Sequence, residues 1–190
     1  MKYWAIVLHF YQPPTQEDEI TWNILTFCYL PLLRMLVSKN NFGITINITE
    51  CLIDQLKKLD AKEFFDLINR LVDSGKVELL ASAKYHPILP LVPKEVLKRH
   101  IYNNSTAKCF FPPELAVDSK ILDALIFPLV LVDESSLDIK SPIVQYKNKH
   151  LLANNRAICD LLRAYPENLE IEQITDLLKP GLNITVNDAE

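Results

Sequence analysis

Along the chain, short runs of apolar and β-branched residues alternate with longer stretches whose apolar positions recur every three or four residues. The short runs are Tyr3 to Leu8, Gly43 to Ile48, Val77 to Ser82, Ala107 to Phe111, Leu129 to Val132 and Leu182 to Val186. Each is brief, continuous and followed by polar residues, so each predicts a buried strand. Between the first two, Ile20, Ile24, Phe27, Cys28, Leu32 and Leu36 share one helical face, with Pro31 expected to kink or divide the segment. Asp60 and Glu63 have the spacing of a capping box ahead of Phe64, Leu67, Ile68 and Leu71, and Gly75 supplies a left-handed stop. Further helices are expected from Pro93 to about His100, from Ser119 to Leu125 behind an Asp118 cap, and from a cap at Asn154 or Asn155 to a stop before Pro166. Lys179, Pro180 and Gly181 turn the chain into the last strand. Asp133 to Lys149 is the least regular stretch and holds either a loop or a short extra strand at Ile143 to Tyr146. Strands alternating with helices predict an α/β fold, a parallel sheet or barrel, in one domain over residues 1–190.

Composition narrows the function. Of 190 residues, 49% are hydrophobic and 23% charged, enough to bury a core. The net charge of -4, with Lys and Arg spread along the chain, leaves no basic stripe for a phosphate backbone. The most apolar run, Ile121 to Val132, is interrupted by Asp123 and Pro128 and falls short of the ~20 residues of a membrane helix. Neither nucleic acid nor membrane is therefore an expected partner, and a cytoplasmic location is expected. Cys28, Cys51, Cys109 and Cys159 lie far apart among apolar neighbours, as buried free thiols do. With glycine only at positions 43, 75 and 181, Gly-rich phosphate loops are excluded.

In parallel α/β folds functional groups gather beyond the carboxyl ends of the strands, where the following loops converge. The predicted strands end in His9-Phe10-Tyr11-Gln12-Pro13-Pro14, Lys84-Tyr85-His86-Pro87, Pro112-Pro113-Glu114, Asp133-Glu134 and Asn187-Asp188-Ala189-Glu190. Taken singly, His9 reads as a structural histidine, and Glu114 as a charge favoured near a helix N-terminus. Taken together, two carboxylates on one rim beside His, Tyr and Gln suit a site that grips a hydroxyl-rich substrate and cleaves a glycosidic bond. A retaining glycosidase needs one carboxylate as nucleophile and a second carboxyl as acid and then base, about 5 Å apart. Tyr11 and Gln12 either contact substrate or satisfy loop backbone groups. Asp133 is either a substrate contact or the cap of a solvated turn. His100 and His150 are expected at the surface.

These same segments carry a resemblance. Trp4-Ala5-Ile6-Val7-Leu8-His9-Phe10-Tyr11-Gln12-Pro13 resembles the first signature of glycoside hydrolase family 57, His-x-His-Gln-Pro, with Tyr11 in place of the second histidine. Gly75 to Leu80 running to Tyr85-His86-Pro87-Ile88-Leu89-Pro90 resembles the second, Phe110 to Ala116 the third, and Asn187-Asp188-Ala189-Glu190 the fourth. The resemblance implies a (β/α)7 barrel of parallel strands that acts on α-glucans or related α-glycosides with retention, without a metal or other cofactor. It implies Glu114 as nucleophile and Asp188 as general acid/base. It also implies His9, Gln12 and His86 in a sugar subsite; Tyr11, Asp133 and Glu190, placed on the same rim by their strand ends, are further candidate substrate contacts.

Departures from the family pattern set further expectations. Family members continue past the fourth signature, so this chain is expected to be an incomplete, truncated barrel lacking the C-terminal strand and helical region. Edges left open in this way favour self-association. Besides an α-glucan hydrolase or transferase acting on an oligo- or polysaccharide, two functions compete: a non-catalytic carbohydrate-binding or interaction remnant, and a polysaccharide deacetylase. The latter requires an H-x-x-x-H metal pair that His9, His86, His100 and His150 do not form.

Overall fold

The computed structural model describes residues 1–101, 106–136, 141–164 and 169–189. Strand β1 (Lys2–Phe10) leads into helices α1 (Asp18–Ile24) and α2 (Leu30–Ser38), joined through one wide helical turn at Leu25–Tyr29. β2 (Ile44–Ile48), α3 (Glu50–Lys58), α4 (Lys62–Asp73) and β3 (Val77–Ser82) follow. Then come α5 (Lys94–His100), β4 (Cys109–Phe111), α6 (Ser119–Ala124) and β5 (Leu129–Val132). A hairpin of β6 (Ile143–Tyr146) and β7 (Lys149–Ala153) precedes α7 (Arg156–Ala164), α8 (Ile171–Leu177) and β8 (Gly181–Asp188).

The eight strands form one sheet in the order β6-β7-β5-β4-β3-β2-β1-β8. Every neighbouring pair is parallel except β6 with β7, so seven strands run the same way. The sequence predicts six of these; the seventh, β7, has no counterpart among the expected strands and begins at the last residue of the irregular stretch. The short strand at Ile143 to Tyr146 forms at its expected position.

Side chains alternate across the sheet as strand geometry requires. One face gathers Val7, Leu80, Cys109, Phe111, Leu131 and Ile184, with Leu152 packed against them, so strands from both ends of the hydrogen-bonded order share a single core. The sheet therefore curls, and the Asn155 N–H donates to the Ile184 carbonyl at 2.6 Å to link the start of α7 to β8. The opposite face packs under helices: Phe10 and Ile46 meet Leu25, Tyr29, Leu33, Leu52, Leu56 and Phe64, while Phe110 and Val130 meet Ile121 and Leu122.

Local differences from expectation have identifiable causes. Pro31 does not break the helix, because the π-type turn at Leu25–Tyr29 immediately before it rearranges the hydrogen bonds that a proline would disrupt. The resulting run Asp18–Ser38 is 21 residues, long and apolar enough by length and composition to cross a membrane. That corrects the expectation that no such stretch exists; in this fold it buries Leu25, Tyr29, Leu33 and Leu36 against the sheet. The Asp60 capping box does not form: Asp60 turns into the left-handed region (φ 53°) and pairs with Lys62, while Glu63 pairs with Arg34. Gly75 (φ 70°) ends α4 as expected, and Asp118 and Asn155 cap α6 and α7.

Candidate active site

The strand ends build a pocket of about 220 Å3. Glu114 and Asp188 both line it, together with His9, His86, Asp133 and Arg163, over a floor that includes Phe111 and Val186. Tyr11 stacks on His86 with ring centroids 4.4 Å apart, His86 on His9 at 4.6 Å, and His9 on Phe111 at 4.8 Å. Four rings thus stack in succession, and three of them, His86, His9 and Phe111, line the pocket beside the carboxylates.

Register fixes the central row. His9 on β1 lies opposite Asn47 on β2 and opposite Asp188 on β8, so the three residues sit at one level on adjacent strands. The His9 ring, buried, meets Asn47 through Nδ1 and Oδ1 at 2.8 Å. Burial, reinforced by the neighbouring His86, pushes the His9 imidazole down to about 4, against the opposing pull of Asn47 and Asp188. His86 is also lowered, chiefly by burial, although Glu114 and Asp188 favour its charged form. Both rings are therefore neutral at pH 7, and the 3.8 Å approach of His86 Nδ1 to Glu114 Oε1 is not an ion pair there. Three of the seven buried side-chain polar atoms without a partner among the described residues belong to this group: His9 Nε2, His86 Nε2 and Asn47 Nδ2.

The loops are strained where they face the pocket. Glu114 (φ 56°) and Leu115 (φ 52°) follow the buried Pro112 and Pro113 in a tight turn after β4, and His86 (φ 56°) follows β3. Left-handed backbone is costly for residues with a Cβ and persists only where the surroundings impose it. The Glu114 side chain is 68% exposed, so the turn presents its carboxylate outward to the cleft.

Other expected residues fall in different places. Gln12 is buried and donates through Nε2 to the Tyr29 hydroxyl at 3.3 Å; it is not among the residues lining the pocket. Tyr11 contributes its ring to the stack, and its hydroxyl is raised by burial and by Cys51 and Glu114. Asp133 lines the pocket and closes a turn by accepting from Ser135 N at 2.9 Å and Asn154 Nδ2 at 3.2 Å, the capping role expected for it. Burial alone would raise its carboxyl, but the Ser135 and Asn154 hydrogen bonds and Arg156 outweigh this and hold it low. Glu190 lies outside the described residues. His150 is exposed on β7, whereas His100 is half-buried with its ring edge-on to Tyr85. Cys51, Cys109 and Cys159 are buried, Cys28 is half-buried, and burial pushes the Cys109 thiol up to about 12. Among the described residues no group of three His, Cys, Asp or Glu side chains converges on a point where a metal ion could sit. Asn154 and Arg163 line the pocket without being among the expected site residues; Asn47, also unexpected, touches the site through His9 and does not line the pocket. Asn47 had a signal, being the polar position at the carboxyl end of an isoleucine-rich strand.

Known proteins resemble this chain in sequence and fold. An alpha-amylase of Pyrococcus abyssi is 28% identical over 95 residues, 50% of this chain and 14% of that protein. An alpha-amylase of Pyrococcus furiosus is 31% identical over 88 residues, 46% of this chain and 13% of that protein; the match spans only a small part of the length of these curated relatives. The crystal structure of 4-alpha-glucanotransferase from Thermococcus litoralis superposes with a TM-score of 0.82 at 17% identity, over 98% of this chain and 33% of that one, which shows a shared fold. The model of glycosyl hydrolase family 57 matches residues 8–169. A match over most of the chain, on a fold whose strand ends carry the expected signatures, shows that this chain belongs to glycosyl hydrolase family 57.

Proposed function

We propose that the pocket acts on α-glucans as a retaining hydrolase or 4-α-glucanotransferase, with Glu114 as nucleophile and Asp188 as general acid/base. The observation that carries this reading is that Glu114 and Asp188, from the ends of β4 and β8, line one pocket whose size suits a single sugar ring. Glu114 forms a bond to the anomeric carbon as the bond from that carbon to the leaving oxygen breaks, and Asp188 gives that oxygen its proton. The Asp188 carboxylate then takes a proton from water, or from an acceptor sugar hydroxyl, whose oxygen displaces Glu114 from the anomeric carbon. His9 and His86, neutral at pH 7, offer ring nitrogens to sugar hydroxyls. Tyr11 stacks on the His86 ring, and Asp133 and Arg163 extend the polar rim of the subsite. Gln12 supports the loop that carries Tyr11.

A second reading is supported by the 68% exposure of the Glu114 side chain: an open rim that binds glucan without turning it over, since a misplacement of ~1 Å costs about a hundredfold in rate. One comparison separates the two. Wild type and Glu114→Ala are assayed for hydrolysis and disproportionation of maltooligosaccharides, with maltotriose binding measured in parallel. Activity above background that disappears in the variant supports the enzyme. Equal background rates with retained binding refute it in favour of the binding module.

A further inference from the structure

The end of the second strand supplies Asn47, and Asn47 is fully buried. Its Oδ1 faces His9 Nδ1 at 2.8 Å. A carboxamide oxygen only accepts, so a hydrogen bond at this distance requires the proton of the neutral ring to reside on Nδ1. The other ring nitrogen, Nε2, is then a bare acceptor, and it is buried without a partner among the described residues. Asn47 Nδ2, a donor, is likewise buried and unpartnered. Leaving such groups unpaired is costly, and native proteins tolerate it mainly where a ligand or water completes the set. His9 lines the pocket, whereas Asn47 does not and acts on it only through the ring. A sugar hydroxyl can donate to a bare ring nitrogen.

We propose that Asn47 is a positioning residue that locks His9 in the Nδ1–H tautomer, so that Nε2 is held as a hydrogen-bond acceptor for a hydroxyl of the bound sugar. The ligand part of this assignment rests on the proposed glucan site; the tautomer part does not. Neighbouring groups fit the neutral state it requires. His86 stacks on His9 at 4.6 Å and opposes a second positive charge, and Asp188, on the opposite side of the row, is the one carboxylate acting on the ring. A substitution that removes the Asn47 acceptor frees the ring to adopt the Nε2–H tautomer, turning an acceptor into a donor at the sugar.

The test is imidazole 15N NMR of histidine-labelled protein at pH 7, with His9 assigned by its loss in His9→Gln. In the wild type, Nδ1 is expected to carry the proton and Nε2 to show the unprotonated shift. Asn47→Leu is expected to move the proton to Nε2 and to weaken maltotriose binding about tenfold, the loss of one well-made hydrogen bond. Asn47→Asp, which keeps an acceptor, restores Nδ1 protonation. An Nε2–H tautomer in the wild type overturns the proposal, and this measurement stands even if Asn47→Leu does not fold. An unchanged tautomer in a folded Asn47→Leu overturns it as well. If the tautomer behaves as stated but maltotriose binds neither wild type nor variant, the positioning role stands and the glucan reading fails.

Discussion

Lowering the pH below 6.5 should destabilise this protein through His9 in particular. In the unfolded chain an imidazole titrates near 6.5, whereas burial holds His9 at about 4 in the fold. Between those values the unfolded chain binds a proton that the native state excludes. The stability associated with neutral His9 is therefore fully present above pH 6.5 and is lost as pH falls toward 4. The full difference corresponds to ~3 kcal/mol, of which about 2 kcal/mol is gone by pH 5. Such a loss is a sizeable part of the 5–15 kcal/mol by which a typical domain is stable. The assay is urea unfolding followed by circular dichroism at pH 7, 6 and 5, for wild type and His9→Gln. Removing the titrating ring has its own cost at pH 7, but the change in stability between pH 7 and 5 should be about 2 kcal/mol smaller in the variant. His86 is lowered in the same sense and continues to contribute in both proteins. Equal losses for wild type and His9→Gln would refute the burial account of this ring.

Other outcomes follow from the same geometry. Glu114→Gly relieves a left-handed backbone (φ 56°) and should raise stability by about 1 kcal/mol while eliminating turnover, read by thermal unfolding alongside maltooligosaccharide hydrolysis. Asn155→Ala removes a buried side chain that accepts from Ile158 N and donates to the Leu177 carbonyl and Asn183 Oδ1; urea unfolding should show a loss of about 2 kcal/mol. Leu52→Ala, at a fully buried helix position against the sheet, should cost about 2–5 kcal/mol by the same measurement, with the pocket residues left in place.

Six of the seven parallel strands are legible because strands buried on both faces appear as continuous apolar runs, and the curled sheet buries both faces of most of them. The one missed, β7, starts with Lys149 and His150 and offers only three apolar residues before Asn154, so its pattern merges with the cap of the following helix. Helix α3 escapes notice because it begins two residues after β2 ends, and its buried set, Cys51, Leu52 and Leu56, is small. The Asp60 and Glu63 pair shows the limit of spacing as a cap signal: a long-range partner, Arg34, takes the glutamate that the local motif needs. At the site, the strand-end rule brings His9, His86, Glu114, Asp133 and Asp188 into one pocket. Gln12 departs from it because its amide is drawn to Tyr29 in the core. Arg163 requires tertiary information, since nothing local marks it as a pocket residue, and the local signal at Asn47, a polar position ending an isoleucine-rich strand, does not name His9 as its partner.

The central claim is that Glu114 attacks the anomeric carbon of an α-glucoside. Intact-protein mass spectrometry after incubation with a slowly turned-over fluorinated α-maltosyl fluoride tests it most directly. The account predicts a mass increase of one glycosyl group, mapped by peptide fragmentation to Glu114 and missing in Glu114→Ala. An unmodified chain, or a label on any other carboxylate, contradicts it.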